Sequence, residues 1–83
     1  AEVALVSSVF LDDPREYEMA RAYYRRLESL ALKNSLPYVA VHEYWADRIQ
    51  NGGYVFRSLV QYDLIHPRVE GYRLMAEAVM SAL

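Results

Sequence analysis

The sequence predicts an α/β fold with two parallel strands and three helices. Two short apolar runs, residues 3–10 and 36–41, have the length and the valine and leucine content of buried strands. A long amphipathic stretch lies between them and predicts a helix. A strand, a long helix and a second strand in this order predict that the two strands run parallel.

The start of the first helix is indicated by the sequence Asp13-Pro14-Arg15-Glu16. Asp13 is a suitable N-cap, Pro14 loses no needed N–H at the first helical position, and Glu16 completes a capping-box pattern. Asn34 is a suitable C-terminal cap. The predicted apolar stripe consists of Tyr17, Ala20, Tyr24, Leu27 and Ala31, widened by Tyr23 and Leu30.

Two further helices are predicted after the second strand. Residues 42–51 form the weaker pattern, and Gly52-Gly53 ends it. Residues 54–62 fit either a short helix or a packed loop. Residues 69–83 form an amphipathic helix whose predicted core stripe is Tyr72, Met75, Ala76, Val79, Met80 and Leu83.

Composition limits the classes of function. The 83 residues, 54% of them hydrophobic, fit one globular domain. The absence of cysteine excludes disulfides, thiol nucleophiles and zinc–thiolate sites. A net charge of -2 and a pI near 5.6 give no broad footprint for nucleic acid. No apolar run has the length of a membrane span, so we expect a soluble protein, either secreted or cytoplasmic.

Two strands are too few for a complete sheet of this kind. A parallel sheet normally has several strands covered by helices on both faces, and two strands leave both edges open. A chain of this size without disulfides also needs a large core or a partner. We therefore expect these strands to be part of a larger sheet that a second polypeptide segment completes.

The residues with the clearest chemistry are in the sequence Asp63-Leu64-Ile65-His66-Pro67. A residue that precedes proline avoids the helical region, so His66 is expected at a turn, and Pro67 is suited to open the last helix. Asp63 lies three residues earlier and can reach the imidazole. A carboxylate bonded to Nδ1–H leaves Nε2 free to accept a proton, which is the acid–base half of a catalytic triad.

These residues resemble a known family. The pattern Asp63-x-x-His66-Pro67, followed by Gly71 and a helix that contains Ala76, is similar to the C-terminal block of the SGNH (GDSL-type) hydrolases. Residues 23–41 resemble that family's late helix and final strand, although His42 stands where the family often has aspartate. Only the block that begins at Asp63 is specific.

The resemblance implies that residues 1–83 are the C-terminal segment of a single flavodoxin-like α/β/α domain. It implies a serine ester hydrolase without a cofactor, with His66 as general base and Asp63 as the residue that orients it. The family's nucleophile lies in a G-D-S motif, and its oxyanion donors include a glycine and the asparagine of G-x-N-D. Neither motif occurs here. A second polypeptide segment is therefore expected to supply the serine, the glycine and the asparagine.

These residues also allow other interpretations. Ser8 follows a predicted strand as a nucleophile would, but it lacks the preceding G-D and is better explained as a polar residue at a strand end. A metal site of His42, Glu43, Asp63 and His66 has no supporting spacing. Candidates to line a substrate pocket are Tyr54, Phe56, Tyr62 and His42. The alternative functions are a non-catalytic structural or binding remnant of the fold and an O-acyltransferase that uses the same triad.

Overall fold

A computed structural model describes residues 3–82 and confirms the α/β class. The two strands are β1 (Leu5–Val6) and β2 (Tyr38–Val39). The helices are α1 (Pro14–Lys33), α2 (Val41–Asn51), α3 (Phe56–Leu59) and α4 (Val69–Ala82). Helix α3 lies within the segment for which the sequence allowed a short helix or a loop. Leu83, which the sequence placed on the last apolar stripe, lies outside the described residues.

The strands form a parallel pair, as predicted. Leu5 is paired with Tyr38 and Val6 with Val39. The N–H of Leu5 donates to the carbonyl of Pro37, and the N–H of Ser7 donates to the carbonyl of Val39, each at 2.9 Å. The prediction of a strand over residues 3–10 was too long, because only the part that lies beside the short β2 has a backbone partner within the described residues.

Helix α1 covers one face of the sheet and begins where the sequence indicated. Oδ1 of Asp13 accepts hydrogen bonds from the N–H groups of Arg15 and Glu16, and Asn34 is the C-cap. Tyr24 and Ala31 are buried against the sheet. The prediction that Tyr23 and Leu30 widen the buried stripe was wrong, because both of these side chains are exposed.

Helix α4 packs on α2, α3 and β2, and its rotation differs from the prediction. Its buried residues are Gly71, Leu74 and Ala78, whereas Tyr72, Ala76 and Met80 are exposed. A Cβ added at Gly71 would lie 2.2 Å from the carbonyl oxygen of Leu59. The close approach of α4 to that carbonyl therefore requires glycine, and it turns the face of Gly71 inward.

The largest fully buried side chains are Trp45, Leu59, Leu74 and Val41. They come from α2, α3 and α4, so the core lies between these helices and β2. None of the helices in residues 3–82 combines the length and the apolar character that crossing a bilayer requires.

Candidate active site

The Asp63–His66 sequence lies in a loop that leaves the core at Val60 and returns at Pro67. Val60 and Pro67 form an antiparallel bridge, and the N–H of Gln61 donates to the carbonyl of His66 at 2.7 Å. The N–H of Arg68 donates to the carbonyl of Leu59 at 2.8 Å. Pro67 was predicted to open the last helix, but this bridge holds it before α4, which begins at Val69.

Asp63 holds His66 through both its side chain and its backbone. Oδ2 of Asp63 lies 2.5 Å from Nδ1 of His66. Oδ1 accepts the backbone N–H groups of Ile65 at 3.0 Å and of His66 at 3.1 Å. The carboxylate therefore fixes the turn and the imidazole together, and with Nδ1 as the donor it leaves Nε2 as the free ring nitrogen.

The same contacts set the charge of the carboxyl group. The hydrogen bond from the His66 side chain, followed by those from the N–H groups of Ile65 and His66, lowers the pKa of Asp63 to about 2. Asp63 is thus an anion at neutral pH. Leu64, between these residues, has a φ of 62°, a left-handed conformation that is uncommon for leucine. Strained backbone of this kind is concentrated at functional sites.

The imidazole of His66 is accessible, with 68% of its side chain exposed. It borders a cavity of about 410 Å³ that lies between the end of the β1 segment, the loop and the first part of α4. Most of the lining is apolar. The other lining residues are Ser8, Val9, Leu11, Tyr24, Ile65, Pro67, Tyr72 and Met75.

The pocket candidates from the sequence lie apart from this cavity. Phe56 is buried in the core, and Tyr54 is half-buried against it. Tyr62 is 97% exposed. Ser8, which the sequence gave little support as a nucleophile, does line the cavity beside His66. Sequence reasoning missed Tyr72 there, because it assigned Tyr72 to the core face of α4.

His42, the fourth candidate to line a substrate pocket, is buried beside Ser7 and α1. Its Nδ1 lies 2.8 Å from Oγ of Ser7, and its backbone N–H donates to the same oxygen at 3.3 Å. Its ring lies 4.4 Å from the ring of Tyr24. Burial lowers the pKa of His42. The bond between Ser7 and His42 spans 35 residues of sequence, and no local pattern indicates it.

No group of three or more His, Cys, Asp or Glu side chains within residues 3–82 is arranged to hold a metal ion. His42 and Glu43 border a different cavity, of about 190 Å³, beside Tyr38. They are therefore not part of the group that Asp63 and His66 form.

Comparison with known proteins gives a fold. No protein-family model matches the sequence, and no curated protein matches it. A crystal structure of a catalytic mutant of an acetylxylan esterase from Geobacillus stearothermophilus matches 98% of this chain with a TM-score of 0.81 and 14% sequence identity. The chain spans 37% of that esterase chain. At this identity the likeness concerns the fold: the chain has the α/β fold of part of an esterase.

Proposed function

We propose that this chain supplies the histidine–aspartate pair of a serine ester hydrolase of the SGNH type. The observation that carries the proposal is the Asp63 carboxylate on Nδ1 of His66, with Nε2 free at an accessible cavity. The fold of part of an esterase supports it independently. The nucleophilic serine and the oxyanion donors, a glycine and an asparagine, are assigned to a second polypeptide segment.

In this mechanism each residue has one task. Nε2 of His66 accepts the proton of the serine hydroxyl while the serine oxygen attacks the ester carbonyl. Asp63 stabilises the imidazolium ion that forms, and the contact of its Oδ2 with Nδ1 keeps the ring from turning away. The imidazolium then gives its proton to the departing alkoxide, which leaves an acyl-serine. Water, activated by the same imidazole, hydrolyses that ester and regenerates the serine.

The proposed substrate class is a small O-acyl ester. The cavity beside His66 is largely apolar, which suits an acyl group rather than a charged leaving group. The structural neighbour is an esterase of acetylated xylan, so O-acetylated carbohydrate is the first natural substrate to test after an aryl acetate.

The test measures hydrolysis of 4-nitrophenyl acetate by the chain assembled with the segment that carries the serine. His66→Ala is expected to lower kcat by at least about 10³-fold, because the general base is lost. Asp63→Asn is expected to lower it by a similar factor, because the amide fixes the wrong tautomer. Full activity of His66→Ala would contradict the proposal.

Ser8→Ala tests the alternative nucleophile, since Ser8 borders the same cavity. This variant is expected to retain catalysis, because the proposed nucleophile is on the second segment. If Ser8→Ala alone abolishes an activity that the isolated chain possesses, the nucleophile is Ser8 and the second segment is not needed.

A further inference from the structure

The side of the sheet next to β1 has the features of an interaction surface. In a parallel pair, alternate residues direct their backbone groups to opposite sides of the strand. Leu5 and Ser7 direct their N–H groups to β2, so the N–H and the carbonyl of Val6 point to the other side. The side chain of Val6 is 41% exposed, whereas its paired residue Val39 is buried. At this pair of residues the face of the sheet is therefore exposed over β1 and covered over β2.

Helix α1 has an apolar flank on the same side. Its polar flank, with Arg21 and Glu28, borders a cavity with Tyr38 of β2, so the opposite flank lies toward β1. That opposite flank carries exposed apolar side chains at helical spacing. They are Met19, Tyr23 and Leu30.

Helix α4, on the other face of the sheet, shows the same asymmetry. Tyr72 and Met75 border the cavity beside His66 together with Ser8 and Val9, which follow β1. Tyr72 is exposed, and Met75 beside it is only partly buried. The open strand edge and the apolar flanks of the two covering helices thus lie on the same side of the sheet. We name this side, with Val6, Met19, Tyr23, Leu30 and Tyr72, the β1 surface.

We propose that the β1 surface binds a strand-and-helix polypeptide segment, which adds a parallel strand to Val6 and packs helices against α1 and α4. This inference rests on the proposed function and identifies the binding surface for the serine-bearing segment. The esterase neighbour supports this occupant: the matched region is 37% of that chain, so most of a complete esterase lies outside the part that resembles this structure. A segment with a parallel strand and flanking helices would cover the apolar flank that α1 and α4 each expose.

The experiment uses the tagged full chain as bait in the cells that produce it. Mass spectrometry identifies the bound polypeptide and the peptides that cross-link to a photoreactive residue placed at position 23. Two variants change the surface. Val6→Pro removes the free N–H, which β2 does not use, and Met19→Lys places a charge on the apolar flank. Leu32→Lys is the matched control, because Leu32 is on α1 beside Tyr38, and its exposure of 81% is close to the 76% of Met19.

The proposal expects one identified segment that cross-links at position 23 and binds the wild type and Leu32→Lys alike. Binding to Val6→Pro and to Met19→Lys should be at least tenfold weaker, while circular dichroism shows that each variant is folded. If one of these two variants is unfolded, the binding measured for the other decides the test. Equal binding by all four chains, no bound polypeptide, or a second copy of this chain as the bound species would each overturn the proposal.

Failure of the proposed function has a different signature. If the identified segment binds at the β1 surface but contains no nucleophilic serine, or if the assembly has no esterase activity, the surface assignment stands and the catalytic proposal falls.

Discussion

The carboxylate of Asp63 binds His66 twice, through the imidazole Nδ1 and through the backbone N–H. One side chain therefore determines the position of the residue and the orientation of its ring. In this arrangement the loop conformation and the orientation of the imidazole depend on the same ionised group. The consequence is measurable as a shift in the pKa of Asp63.

We predict that carboxyl ¹³C shifts will give Asp63 a pKa of about 2, below its ordinary value of 3.8. Because the folded value is the lower one, the contact contributes stability above about pH 4 that is lost as the pH falls through 2. In His66→Ala the pKa of Asp63 should rise toward 3.8, because the largest cause of the shift is removed.

Asp47 provides the internal control for that titration. The pKa of Asp47 is also lowered, by hydrogen bonds from Arg48 and Asn51, and it should not change in His66→Ala. If the pKa of Asp63 were the same in the wild type and in His66→Ala, the imidazole would not be the group that stabilises the carboxylate.

The position of α4 should depend on the absence of a side chain at residue 71. Gly71→Ala places a Cβ against the carbonyl of Leu59 and within 2.9 Å of the indole of Trp45. We expect a loss of about 2–3 kcal/mol in the free energy of unfolding, measured with urea. Arg73→Ala, an exposed change on the same helix, should alter it by less than about 0.5 kcal/mol. Equal effects would mean that α4 does not pack as closely as described.

His42 should make stability depend on pH near neutrality. Because burial lowers its pKa, the unfolded chain binds more protons at this residue than the folded chain does as the pH falls below about 6.5. Stability from this group is complete above that pH and decreases as the pH falls toward the folded pKa. Urea unfolding at pH 7.5 and pH 5 should show a larger decrease for the wild type than for His42→Gln. An identical pH dependence would contradict a buried, neutral His42.

Two tyrosines offer a matched test of buried hydrogen bonding around α1. The hydroxyl of Tyr24 donates to the carbonyl of Val9 at 3.1 Å in a buried position, and that of Tyr38 donates to the carbonyl of Tyr24 at 3.4 Å in a partly buried one. Tyr24→Phe should cost about 1–2 kcal/mol, because the Val9 carbonyl is left without its donor. Tyr38→Phe should cost clearly less. Thermal unfolding of both variants checks the order, and a reversed order would count against these contacts.

Much of the fold was predictable because its signals are local. The N-cap of α1 depends on Asp13 and the two N–H groups that follow within three residues. The pairing of Asp63 with His66 also spans three residues, so the spacing alone indicated it. The parallel direction of the strands followed from the length of the connection between them.

The positions that the sequence did not predict depend on contacts between distant segments. His42 was a candidate to line a substrate pocket, but it is buried, and its neighbour is Ser7, 35 residues earlier. Tyr72 has the hydrophobic character of a core residue, yet it borders the cavity beside His66. Hydrophobic periodicity identifies an apolar stripe, but it does not distinguish a stripe that packs within the chain from one that stays open.

The sequence by itself therefore determined the order of strands and helices, the capping of α1 and the pairing of Asp63 with His66. Tertiary structure decided which face of α4 is buried, where His42 lies and on which side of the sheet the apolar surface remains open. The physical reason is that capping and turn bonds join neighbours in the chain, whereas burial depends on how closely separate backbones approach. At Gly71 that approach is set by a carbonyl group from another helix.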